Sequence, residues 1–152
     1  MKQIPIKQIG IVQNTLGTLS FDSWKDTISS IIIDAKYRDA LEGLEEFSHI
    51  YVLFYLHQME EEFRQKTHPT GNPEYPLVGV FATRTPNRPS RIGLTICKLL
   101  NIQENVLTVE GLDAFNGSPV LDIKPFYPYD FDDVRLPNWI KMIHKKRRSN
   151  LT

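Results

Sequence analysis

Apolar positions along the chain recur at every second residue in short runs, while the three-to-four spacing of an amphipathic helix is scarce. The runs Ile4 to Val12, Thr27 to Ile33, His49 to Leu56, Leu77 to Ala82, Leu94 to Ile102, Val106 to Leu112 and Val120 to Phe126 are rich in β-branched and aromatic residues. Turn residues separate them, so each is expected to be a strand. Helical patterning is confined to a short turn at Arg38 to Phe47, a polar stretch around Glu60 to Gln65, and Trp139 to His144 behind Pro137. None is long enough for a doubly wound fold. An all-β domain, an antiparallel barrel or sandwich, follows from the pattern, with Thr67 to Pro76 as a long surface loop.

Three segments carry residue types suited to chemistry. In the strand pattern His49 to His57, a period of two places Ile50, Val52, Phe54 and Leu56 on a core face. His49, Tyr51, Leu53, Tyr55 and His57 fall on the other face, which suits a ligand wall, a subunit interface or a second core layer; Gln58 follows at the strand end. In Val78 to Thr95, Pro86 and Pro89 exclude a helix, so a strand ending near Ala82 must emit an extended loop bearing Arg84, Arg88 and Arg91. Such guanidinium forks suit carboxylate or phosphate, unless they pair with Glu60, Glu61 or Glu62. In Glu110 to Tyr127, the dipeptide Asn116-Gly117 predicts a hairpin with Asp113 at the end of its first strand. Beyond it, Leu121 and Ile123 are expected on one side and Asp122 and Lys124 on the other, either as a surface ion pair worth at most about 1 kcal/mol or serving a site.

Composition narrows the choices. The 152 residues include 41% hydrophobic and 24% charged positions, so the chain can bury a core without a partner. Formal net charge is zero, with 18 basic and 18 acidic residues, and any RNA contact must be local. The arginine loop and the run Lys145, Lys146, Arg147, Arg148 supply local positive charge, although such a run is usually a solvated helix end. Cys97, the single cysteine, has apolar neighbours and reads as a buried structural thiol. His49, His57, His68 and His144 are too scattered to suggest a metal site, so no metal is expected. The dinucleotide, P-loop, zinc-protease and α/β-hydrolase signatures are all missing. With no apolar signal region and no spanning run, a cytoplasmic protein with no membrane association is expected.

The blocks GLEEFSHIYVLFYLHQ, VGVFATRTPNRPSRIGLT and GLDAFNGSPVLDIKPFYPY, preceded by QIGIVQ, resemble in order and spacing the signature blocks of the TsaA-like family, best known through the TrmO tRNA methyltransferases. The resemblance runs from about Ile4 to Asp130. It implies a single-domain antiparallel β-barrel over residues 1–135, with short helical segments and a C-terminal helix and basic tail over 136–152. It also implies a homodimer that binds S-adenosyl-L-methionine and methylates the exocyclic amine of threonylcarbamoyl-adenosine beside the tRNA anticodon. Carried over block by block, it assigns His57, Gln58, Arg84, Leu94, Asp113, Ala114, Phe115, Asn116 and Gly117 to the cofactor. Arg84 would take the methionine carboxylate, Asp113 or a turn carbonyl the ribose or amino group, and Leu94 the adenine. His57 is the candidate general base, and Arg88, Arg91 and Lys124 are candidates for substrate or RNA.

Two departures stand out. RPSRIG, Arg88 to Gly93, replaces the family's RPNPIG, and Asn14 to Ile33 matches the early cofactor-contacting stretch poorly. The chain also ends soon after the barrel blocks, where longer members carry a further domain. A small-molecule methyltransferase and a noncatalytic RNA- or ligand-binding barrel gripping phosphate through Lys145 to Arg148 are the competing readings.

Overall fold

The computed structural model describes residues 4–15, 24–59, 62–128 and 135–149. In chain order its elements are β1 (Gly10–Gln13), β2 (Ile28–Ile33), β3 (His49–Tyr55), β4 (Lys66–Thr67), β5 (Val78–Gly79), β6 (Ile92–Gln103), β7 (Val106–Glu110), β8 (Pro119–Pro125) and α1 (Asn138–Ser149). Short 3-10 turns at Ala35–Leu41 and Leu44–Glu46 link β2 to β3. Six strands close into a barrel in the order β1-β2-β7-β6-β3-β8. Each pairing is antiparallel, as the alternating patterns require.

Two compact units divide the chain. The barrel lies in the first, Met1–Glu62 with Pro86–Tyr127. Its core is the inward-pointing half of each strand: Val12, Ile31, Ile33, Ile50, Val52, Phe54, Cys97, Leu99, Leu107, Val109 and Val120 are buried. Burying one such aliphatic side chain contributes about 1.5–3 kcal/mol, so the period-two pattern closes the barrel by placing these residues inside. Gly93 faces Phe54 across the β3–β6 ladder, and a Cβ there would lie 2.6 Å from the ring. The glycine leaves the space that the aromatic ring fills.

The second unit, Phe63–Thr85 with Pro128–Thr152, holds the β4–β5 pair and α1. Lys66 pairs with Gly79 and Thr67 with Val78. His68 Nδ1 lies 2.7 Å from the Tyr75 carbonyl oxygen. On α1, Lys146 reaches Glu74 at 3.4 Å and its ammonium lies 5.8 Å from the Tyr75 ring centroid. The side chains of Arg147 and Arg148 lie outside the described residues. No described helix is long and apolar enough to cross a membrane.

Several expectations need correction. The strand expected from Ile4 begins only at Gly10, and Pro5 has no N–H to give a ladder. The run Leu77 to Ala82 is a two-residue strand followed by a 3-10 turn, Val80–Ala82, because Val80 N donates to Gln65 O and Thr83 N to Val80 O. Asn116-Gly117 does turn the chain, with Gly117 at φ +81°. However, β7 and β8 do not form a hairpin, since β7 pairs with β2 and β6, and β8 with β1 and β3. The turn's hydrogen bonds go to β1 instead: Gly117 N donates to Val12 O at 2.8 Å and Val12 N to Ser118 O at 3.0 Å. Leu121 and Ile123 do not share an environment either. A register shift where Leu53 and Phe54 meet β8 leaves Val120 buried and Ile123 packed on the core, while Leu121 lines an outer groove with Ile4, Ile6 and Tyr55.

Candidate functional site

Antiparallel closure brings the ends of β1, β3 and β7 to the same end of the barrel as the starts of β2, β6 and β8. Tyr55 at the end of β3 pairs with Ile92 at the start of β6, Glu110 at the end of β7 with Ile28 at the start of β2, and Gln13 at the end of β1 with Ser30. Residues immediately beyond these strand ends therefore gather there: Asn14, His57 with Gln58, the stretch Arg88 to Arg91, and the connection from Gly111 to Ser118.

A polar network holds that connection. The Asn14 side-chain amide donates to Ser29 Oγ and to the Ala114 carbonyl oxygen, each at 3.0 Å. Its backbone N–H donates to Asn116 Oδ1 at 3.1 Å. Ser118 N donates to Phe115 O at 3.1 Å, closing the turn. His57 lies beyond the end of β3 rather than on the same face as His49, and its Nδ1 is 3.3 Å from Ser118 Oγ. Its other ring nitrogen lies over the turn, where a Cβ added to Gly117 would come 3.8 Å from Nε2. Outside this turn, Gln13, Asn14, Ser30, Asn116 and Gly117 line an open groove.

Asp113 sits in the connection, partly buried, and burial pushes its carboxyl above the ordinary aspartate value. It makes no side-chain hydrogen bond or ion pair among the described residues. A desolvated carboxylate of this kind suits a ligand that brings its own positive charge or hydroxyl groups. At this barrel end the His57 ring and the Asn116 side-chain amide can donate to oxygen acceptors, and Asp113 can accept from an amine or hydroxyl.

The remaining candidates are placed differently. Arg88 and Arg91 flank the strand entry at this barrel end; Arg91 adopts φ +48° and its carbonyl accepts from Leu56 N at 2.8 Å. The arginine thereby links the loop to the residue next to His57. Leu94 projects outward from β6 opposite Leu53 and is 58% exposed, available as an apolar surface. Arg84 is exposed in the second unit, and none of the ion pairs among the described residues includes it. Of its suggested partners, Glu60 and Glu61 lie outside the described residues, and Glu62 is in none of the ion pairs among them. Lys124 is not gathered with the others. It pairs with Tyr51 far along β8, and its ammonium lies 2.7 Å from Asp122 in an exposed ion pair.

Sequence reasoning missed Asn14, Ser29 and Ser118. Ser29 had a signal, because in ISSIII it shares inward parity with Ile31 and Ile33 and is 1% exposed. A polar residue at an inward position requires a partner. Cys97 is buried as expected, and desolvation pushes its thiol up to about 12, which removes it as a nucleophile. Among the described residues, no cluster of three or more His, Cys, Asp or Glu could hold a metal ion.

Residues 20–133 match the family model described as the tRNA-methyltransferase O N-terminal domain. A protein of Methanothermobacter thermautotrophicus described as a probable S-adenosyl-L-methionine-binding protein is 43% identical over 82% of this chain and 91% of its own. The mouse tRNA (adenine(37)-N6)-methyltransferase is 43% identical over 61% of this chain and 21% of its own length. The crystal structure of TrmO from Pseudomonas aeruginosa superposes with a TM-score of 0.71 at 28% identity, covering 88% of this chain and 61% of that one. The chain thus spans less than two thirds of that solved relative. The family match over most of the length, carried on the same closed barrel, makes this chain a member of the tRNA-methyltransferase O N-terminal domain family.

Proposed function

We propose that the chain binds S-adenosyl-L-methionine at the barrel end formed by His57, Gln58 and Asp113 to Gly117, and transfers its methyl group to the exocyclic amine of an adenosine in tRNA. The observation that carries this reading is the junction of His57 with the Asp113 to Gly117 connection, tied by Ser118 and Asn14, in a member of this family. The finer proposal is that the substrate adenosine bears a threonylcarbamoyl group and lies beside the anticodon; the mouse relative's name points to adenine 37.

The cofactor would supply an electrophilic methyl on a positive sulfur. This chain's residues then have binding and alignment as their task, because an in-line displacement depends chiefly on holding amine, methyl and sulfur in line. Asp113 would hold the amino group or ribose, and the exposed Leu94 would pack on adenine. Of the turn Ala114, Phe115, Asn116 and Gly117, the Gly117 amide is held by Val12, and the Ala114 and Phe115 carbonyls accept from Asn14 and Ser118. The Asn116 side-chain amide and the remaining backbone groups would therefore meet the cofactor. Arg84 enters on the resemblance of its sequence block rather than on geometry, as the partner of the methionine carboxylate. Arg88 and Arg91 are proposed to meet substrate phosphate. Lys124, held by Asp122, keeps the weakest claim to RNA.

Calorimetric titration with S-adenosyl-L-methionine and its demethylated product tests the reading, using the wild-type chain and Arg84→Ala. We expect saturable binding by the wild type and at least a tenfold loss in the variant, the size of one charged hydrogen bond of about 1.5–3 kcal/mol. Folded wild-type protein that binds neither compound overturns it. For the tRNA assignment, deleting the gene should remove one methylated nucleoside from bulk tRNA, and an unchanged profile counts against it. The zero net charge favours a second reading, methylation of a small molecule by the same cofactor site. Homodimerisation is also proposed; a single 17.6 kDa species in sedimentation would refute it.

A further inference from the structure

Ser118 is 1% exposed, and its backbone is fixed on both sides, with N donating to Phe115 O and O accepting from Val12 N. Its hydroxyl has one side-chain partner among the described residues, His57 Nδ1 at 3.3 Å. A serine hydroxyl carries one hydrogen to donate and lone pairs to accept with, whereas a neutral imidazole carries its proton on only one of its two nitrogens. Were the ring proton on Nδ1, that N–H would point at Ser118 Oγ and the hydroxyl hydrogen would be left buried without an acceptor. Native structures avoid that arrangement, because the desolvated donor is not compensated. With the proton on Nε2 instead, the Ser118 hydroxyl donates to Nδ1, and neither the buried hydroxyl hydrogen nor Nδ1 is left without a partner. Nε2 is the nitrogen that lies over Gly117, at the turn proposed to bind the cofactor.

We propose that Ser118 is a positioning residue that locks neutral His57 as its Nε2–H tautomer, so that the histidine offers a hydrogen-bond donor to an oxygen acceptor of the cofactor, a carboxylate or ribose oxygen. The identity of that ligand rests on the functional reading above; the tautomer does not. His57 then belongs to the binding of the cofactor and is not the general base, since its outward nitrogen has no free lone pair with which to take a proton. Gly117 acquires a second reason beyond its positive φ. A side chain there would extend towards Nε2 and screen the donor from the ligand.

The test has two arms on the full chain. In the first, the protein is labelled with nitrogen-15 histidine, and ring nitrogen resonances are recorded without cofactor at about pH 8.5, well above the ordinary imidazole range. The His57 signals are identified by their loss in His57→Gln. We expect a pyrrole-type shift at Nε2 and a pyridine-type shift at Nδ1 in the wild type. In Ser118→Ala the two should move towards a tautomer average, with recovery in Ser118→Thr. A pyrrole-type Nδ1 in the wild type overturns the assignment, whatever the variants do.

The second arm compares affinity for S-adenosyl-L-methionine in His57→Gln and His57→Asn. The glutamine amide reaches the place of Nε2 and can donate there, while the asparagine amide reaches only the place of Nδ1. Loss of about tenfold more affinity in the asparagine variant is expected, the worth of one net hydrogen bond. Equal losses overturn the donor role. A folded wild-type chain that binds no cofactor overturns that role together with the functional reading, and the tautomer is then decided by the spectrum alone.

Discussion

At the scale of single residues, Asn14 shows how a small polar side chain sets the position of a whole connection. Its amide bridges Ser29, inside the barrel end, to the Ala114 carbonyl in the turn. Asn14→Ala should lower stability by about 1–3 kcal/mol, because it removes the bond to the buried Ser29 hydroxyl and the bond to the Ala114 carbonyl. Urea unfolding should show this as a lower midpoint with an unchanged slope. Asp113 gives a pH signature. Burial raises its carboxyl above the ordinary 3.8, so the native state holds that proton more tightly than the unfolded chain. Its contribution to stability is complete below 3.8 and is lost as pH rises through the raised folded value. Asp113→Asn should therefore flatten the acid-side stability profile and unfold at the same or higher denaturant at neutral pH. A profile with the wild-type slope would show that desolvation of this carboxyl is not felt by the fold.

At the scale of elements, the period-two pattern was enough to locate most barrel strands to within a few residues. The centres of β2, β3, β6, β7 and β8 fall where inward Ile, Val and Leu alternate with outward residues. Partner choice was not legible in the same way. Asn116-Gly117 marks a turn wherever it occurs, yet whether a turn joins two paired strands depends on which ladders stand open when the barrel closes. Here β1 offered its open edge, and the turn bonded to Val12. The shift beside Leu53 and Phe54 is similarly invisible in sequence, because an irregular step changes the parity of β8 without changing its residue types. Gly93 tests the packing within a ladder. Replacing it by alanine forces a methyl group into the Phe54 ring, and we expect a loss of about 1–3 kcal/mol, seen as a fall in thermal midpoint. A midpoint unchanged within error would mean that the ring is free to move aside.

At the scale of the molecule, zero net charge confines any attraction for RNA to local groups such as Arg88 and Arg91. If tRNA is the substrate, its affinity should fall steeply as salt rises from about 50 to 200 mM, whereas cofactor affinity should change little, because only the former releases counterions from phosphate. Fluorescence anisotropy with labelled tRNA against calorimetry with the cofactor measures both; a salt-independent tRNA affinity would exclude phosphate contacts. The sequence by itself determined the class of fold, the thiol's burial and the blocks that carry His57, Arg84 and Asp113, because these depend on residue type and short-range spacing. Tertiary structure alone decided that the Gly111 to Ser118 connection bonds to β1, that Asn14 and Ser118 bind it to the barrel and to His57, and that Lys124 lies opposite Tyr51, away from that end. The physical reason is that these contacts join residues far apart in the chain, Val12 with Ser118 and Asn14 with Ala114 among them, and their partners are chosen only when the ladder closes.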